Sequence, residues 1–148
     1  MTGNSQRTDP TESLRQQQLL APLRALRDPQ SRLAWSVAQA QHRLPLPDDL
    51  RLDQFRVEGC LVRIWLVPEF ANGVCTFRTD SDAVSLKALS GLLCDYYSGD
   101  SPEGIVRHPP EFLQQLGLLR HLAENRRATV VRIGENIRDF AMMHLYPP

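Results

Sequence analysis

The 148-residue sequence has no excess charge of either sign, since 17 Lys and Arg balance 17 Asp and Glu. A dedicated nucleic-acid binder carries a basic excess or patch to meet phosphate, so that class is not expected. Nor is there a basic surplus to draw the chain to an anionic membrane. Long apolar runs are missing too: none approaches the roughly 20 residues needed to span a bilayer. The opening residues, Met1 to Pro10, are polar and lack the apolar core of a signal peptide, so a cytoplasmic location is expected. Lysine is almost absent. Lys87 stands alone, and arginine, a planar bidentate partner for carboxylates, carries the remaining positive charge. The three cysteines form no C-x-x-C pair, and their odd number fits reduced thiols better than a disulfide framework. There is no G-x-x-x-x-G-K-[ST] phosphate loop, no G-x-G-x-x-G turn and no H-E-x-x-H helix.

What is present is an apolar fraction of 42%, enough for one domain with a real core. Met1 to about Thr11 reads as a disordered tail, and residues 12–148 as a single domain. Leu19, Leu20, Leu23 and Leu26 mark one face of a helix that Pro22 interrupts. Asp28-Pro29 has the form of a helix start, and the helix is expected to run to about His42 with Leu33, Val37 and Ala40 inward. Val62 to Val67 and Val74 to Thr79 read as strands around an Asn72-Gly73 turn, with room for a short third strand near Phe55 to Val57. A long helix is expected from about Asp82 to Tyr97, short ones after Ser101-Pro102 and Pro109-Pro110, and a last helix from about Glu124 to His144. Val130, Ile133, Ile137, Phe140 and Ala141 face the core in that last helix. The expected fold is α+β: a small antiparallel meander of two to three strands packed against several helices.

Candidate chemistry centres on sulfur. Cys75 falls inside a predicted strand and Cys94 beside Leu92 and Leu93 in the long helix, where a cysteine usually packs as a small hydrophobe. Cys60 follows Gly59 and precedes the β-rich run Leu61 to Leu66, which places it at a loop–strand junction. The residues alone leave open whether it packs or reacts. His42, His108, His121 and His144 are scattered, and no histidine lies within a few residues of a cysteine, so a zinc site is not expected. A Cys60 nucleophile with His108 or His121 as base has no local signature to support it. Asp80 and Asp82 precede a helix, which makes capping their expected duty.

Four blocks in order resemble the SufE family of sulfur-acceptor proteins. They are Arg43-Leu44-Pro45; Val57-Glu58-Gly59-Cys60 running into Ile64-Trp65-Leu66; Asp80-Ser81-Asp82-Ala83 followed by Tyr97-Ser98-Gly99 and Pro102-Glu103-Gly104-Ile105; and Leu116-Gly117-Leu118, His121-Leu122 and Arg126. Two departures from the family pattern stand out. Val62 replaces the serine after the cysteine, and Ala123-Glu124-Asn125 replaces the Ser-Pro-Ser before the arginine. The resemblance implies a fold similar to that of iron–sulfur scaffold proteins, with no cofactor bound. It implies that Cys60 takes persulfide sulfur from a PLP-dependent cysteine desulfurase, stimulates that enzyme and hands sulfur on for iron–sulfur cluster assembly. The chain would then be a carrier and activator rather than an independent enzyme. Asp82 and Arg126 match positions the resemblance links to the cysteine loop and to desulfurase docking. Gly59 shapes the loop, and Arg63 or Arg126 would favour the thiolate, while Leu61 and Val62 would shield it at rest. Trp65 is expected in the core. The expected partners are a desulfurase and an iron–sulfur scaffold complex, with homodimer formation left open. The rival readings are an iron–sulfur scaffold, and a family member that docks on a desulfurase without transferring sulfur.

Overall fold

A computed structural model describes residues 12–145, so the tail expected over Met1 to Thr11 lies outside the described residues. Among the described residues, six α-helices accompany a two-stranded antiparallel sheet: α1 Leu14–Ala25, α2 Pro29–Ala40, β1 Ile64–Ala71, β2 Val74–Ser81, α3 Val84–Tyr97, α4 Pro102–Arg107, α5 Phe112–Gln115 and α6 Glu124–Leu145. The chain is α+β, as the sequence implies.

Local chemistry explains the element starts. Ser13 and Gln16 form a reciprocal capping box on α1, which tolerates Pro22 within its length. Asp28 accepts from the Ser31 N–H with Pro29 in the first turn of α2. The face α2 buries most deeply is Arg32, Ser36 and Ala40; the predicted Leu33 and Val37 are only half-buried. Arg32 can go inside because its guanidinium donates to the carbonyls of Leu23, Leu26 and Leu116.

The hairpin turns at Asn72 and Gly73, with φ of 55° and 81°, the primed geometry that matches the strand twist. Pairing runs from Ala71–Val74 to Ile64–Ser81. The expected third strand is one bridge, Arg56 to Trp65, with the Val57 N–H donating to the Ile64 carbonyl at 2.9 Å. Alternation sorts β1 into two cores. Ile64 and Leu66 join the main core, whereas Trp65 and Val67 pack with Leu46, Leu50 and Phe55 in a smaller one. That double coverage explains why β1 reads as a continuous apolar run. Helix α3 is buried on nearly every side, and α6 buries Val130, Ile133, Ile137 and Ala141, with Phe140 half-buried.

Candidate functional site

The loop of residues 58–63 leaves and re-enters the fold at one place, the Val57–Ile64 hydrogen bond. Glu58 and Gly59 form its turn, and Gly59 has φ of 79°, a conformation that costs any residue with a Cβ. Cys60 follows. The sequence places this thiol where a strand begins, but β1 starts only at Ile64, so Cys60 lies within the loop. Val62 and Arg63, expected in the strand, precede it, although the Asp82 N–H donates to the Arg63 carbonyl one step past the Ile64–Ser81 pair. Cys60 is half-buried, packs on the edge of the main core, and its Sγ lies 3.8 Å from the Glu58 carbonyl. The expected shield is partial: Val62 is half-buried, but Leu61 is 84% exposed and covers nothing.

The other two thiols occupy different environments. Cys75 and Cys94 are 0% and 2% exposed. Burial, reinforced by the charge of Asp100, pushes the Cys75 thiol up. Burial and the charge of Asp95 push Cys94 up further, against the opposing Arg43. Neither can readily supply the thiolate that nucleophilic sulfur chemistry requires. Among the described residues, no group of three or more His, Cys, Asp and Glu is placed to hold a metal ion. His108 is buried with its ring 6.3 Å from that of Tyr96, and His121 is exposed.

Of the expected supporting residues, Arg63 and Asp82 meet at the end of the loop, whereas Arg126 contacts α3. Arg63 Nε donates to Asp82 Oδ2 at 2.7 Å, and the Asp82 N–H donates back to the Arg63 carbonyl. Arg126 reaches from α6 to the Ser85 hydroxyl in the first turn of α3 at 2.9 Å. The Arg63 guanidinium also stands 5.4 Å from the centre of the Trp65 ring, with Arg51 at 5.0 Å from the same ring. Trp65 is in the core at 4% exposure.

Neither aspartate caps α3, whose N-cap is Ala83 with no side-chain hydrogen bond. Asp80, the last residue but one of β2, is 1% exposed. Its carboxylate accepts from the N–H groups of Leu46 and Ser81 and from Arg51, with Lys87 3.7 Å away. Desolvation pushes this carboxyl up, but the two N–H donors, Arg51 and Lys87 together outweigh it and hold the group below its ordinary value.

Sequence reasoning missed Arg132. Its guanidinium lies against Gly59: a Cβ built on that glycine would sit 3.7 Å from Cζ and Nη2 and 3.8 Å from Nη1. Arg132 and Asn136 on α6, with Val57 and Glu58, line an open groove of about 580 Å³ beside the loop. No sequence signal separates Arg132 from the other arginines of α6, because the contact joins segments far apart in the chain.

Comparison with known proteins agrees with this architecture. A solution structure of a hypothetical protein from Thermus thermophilus superimposes with a TM-score of 0.71 over 90% of this chain and 98% of that one, at 21% identity, which speaks to the fold alone. An uncharacterised SufE-like protein of Synechocystis is 26% identical over 67% of this chain and 62% of its own length. A chloroplastic/mitochondrial SufE-like protein of Arabidopsis thaliana is 27% identical over 74% of this chain and 30% of its own. The chloroplastic quinolinate synthase of Arabidopsis thaliana is 28% identical over 69% of this chain and 14% of its own. The chain thus spans less than two thirds of the length of these curated relatives. Residues 17–141, which carry the hairpin, the Cys60 loop and the helices that frame it, match the SufE Fe-S metabolism associated domain, and the chain belongs to that family.

Proposed function

We propose that the protein is a sulfur acceptor: Cys60 takes the terminal sulfur of a persulfide held by a PLP-dependent cysteine desulfurase, and the sulfur then passes on for iron–sulfur cluster assembly. The observation that carries this reading is the contrast among the three thiols. Only Cys60 lies in a loop with access to a partner, whereas Cys75 and Cys94 are buried with their thiols held protonated. The family's association with Fe-S metabolism supplies the chemical context.

The step balances without an external oxidant. The Cys60 thiolate attacks the outer sulfur of the partner's persulfide; a new S–S bond forms on Cys60, the partner's S–S bond breaks, and the partner's thiolate leaves. Leu61, 84% exposed beside the thiol, offers apolar surface to a docking protein. The Arg63–Asp82 pair and the Arg126–Ser85 contact brace the elements on which the loop is mounted. The protein acts here as a carrier that activates its partner, and the activity of any longer protein containing this domain is part of the same proposal.

The test is intact-mass measurement after incubation with a desulfurase and cysteine. Wild-type protein gains one sulfur, about 32 mass units, mapped to Cys60, and Cys60→Ser gains none. Sulfur accepted equally by Cys60→Ser would overturn the reading. Equal stimulation of desulfurase turnover by wild type and Cys60→Ala would leave docking alone, and a bound cluster after anaerobic reconstitution would favour a scaffold.

A further inference from the structure

We infer that Arg63 is a positioning residue that clasps the Cys60 loop to the Trp65 ring, so that its guanidinium restrains access to the thiol. The register builds the clasp. Trp65 stands opposite Asp80 in the hairpin, and one step past the Ile64–Ser81 pair the Asp82 N–H donates to the Arg63 carbonyl at 3.2 Å. Side chains alternate across a sheet, so Arg63, Trp65, Asp80 and Asp82 share one face. The Ser81 hydroxyl donates to the same Arg63 carbonyl at 2.8 Å, which fixes the backbone there.

The Arg63 side chain is held twice, by the 2.7 Å bond to Asp82 Oδ2 and by the Trp65 ring 5.4 Å from its Cζ. Trp65 is buried and is a firm platform, because it takes Arg51 at 5.0 Å as well. The two arginines differ in their carboxylates. Arg51 pairs with buried Asp80, whereas the Arg63–Asp82 pair is open to water on both sides. The Arg63 contact is therefore the one that opens at little cost. Between Cys60 and Arg63 stand only Leu61 and Val62, and among the described residues no backbone hydrogen bond holds either of them. Arg63 is thus the first fixed residue after the thiol. While it is fastened, Cys60 and Val62 stay seated on the edge of the main core.

The experiment is the rate of Cys60 alkylation by iodoacetamide, with Cys60→Ser as blank, taken on the high-pH plateau where the thiol is fully ionised. Any effect of the Arg63 charge on ionisation drops out there, and the rate reports access. Arg63→Gln raises the plateau rate by roughly two- to fivefold, the scale of one exposed ion pair and one cation–π contact. Asp82→Asn raises it less, because the Trp65 contact remains. High salt screens the exposed pair and brings the wild-type rate toward that of Arg63→Gln, whose own rate stays flat. A second readout follows the ring itself. In a Trp35→Phe background Trp65 is the sole tryptophan, and Arg63→Gln increases its quenching by acrylamide. Matching thermal melts separate this local release from unfolding. An unchanged or slower plateau rate in Arg63→Gln overturns the inference, as does a faster rate with unchanged Trp65 quenching. The inference rests on the carrier reading for its purpose, but both readouts are recorded without a desulfurase. Its failure is therefore distinct from a failure of the mass experiment.

Discussion

Near the end of β2, Asp80 is enclosed by Leu46, Ser81, Arg51 and Lys87, while Asp82 just beyond the strand is exposed and pairs with Arg63. The same residue type thus does two jobs. Asp80 ties the segment after α2, the hairpin and α3 into one unit, with its charge matched on several sides. Asp82 only fastens the near end of the Cys60 loop, with side chains 41% and 55% exposed across the pair. The difference teaches where this fold keeps its rigidity. Polar partners converge on Asp80 beside the sheet that carries the loop, although Arg51 Nε is buried without one, and are sparse around the Cys60 loop.

That contrast can be broken from the rigid side first. Asp80→Asn leaves Arg51 and Lys87 facing a neutral amide and is expected to cost about 3 kcal/mol in urea unfolding, in the range for removing one partner of a buried pair. Its pH signature has a definite sign. The folded-state value of Asp80 is depressed, so its contribution is present above the unfolded value of roughly 3.9 and is lost as pH falls through the folded value. Wild-type stability should therefore fall more steeply than that of Asp80→Asn on acidification below about pH 4. Parallel curves would remove Asp80 from its central place.

A smaller effect is expected at Gly59. A Cβ there meets Arg132 only at ordinary contact distance, so the cost of Gly59→Ala comes from its positive φ, about 1 kcal/mol in a thermal or urea melt. Smallest of all is Asp82→Asn. A solvent-screened surface pair contributes less than about 1 kcal/mol, and the difference should shrink further in high salt. A loss at Asp82 equal to that at Asp80 would erase the contrast between the two regions.

What could be read from the sequence was local. Asn72-Gly73 fixes the hairpin because the turn needs two positive φ values in succession. Asp28-Pro29 fixes a helix start, and Gly59 marks a loop turn by its positive φ. Asp80 was illegible as a hub, because an aspartate shortly before a helix reads as a cap while its partners Leu46 and Arg51 come from an earlier segment. The burial of Arg32 on α2 was hidden in the same way, since carbonyls outside that helix accept from it. Arg132 was hidden because only the packing of α6 against the loop decides which of its arginines meets Gly59.

The hydrogen bond from Val57 to Ile64 closes the sulfur-bearing loop at its base. Cys60 is therefore on a leash with both ends pinned to one point on a rigid hairpin. Being three Cα–Cα steps from Val57 along the chain, its Cα can extend no more than roughly 10 Å from that point. A loop opening to this limit could carry sulfur across the gap between two docked proteins without any movement of the sheet or helices. The reach is set by how many residues lie between the pins: a residue inserted there would lengthen the throw, whereas one inserted in β1 would exchange the contents of its two cores.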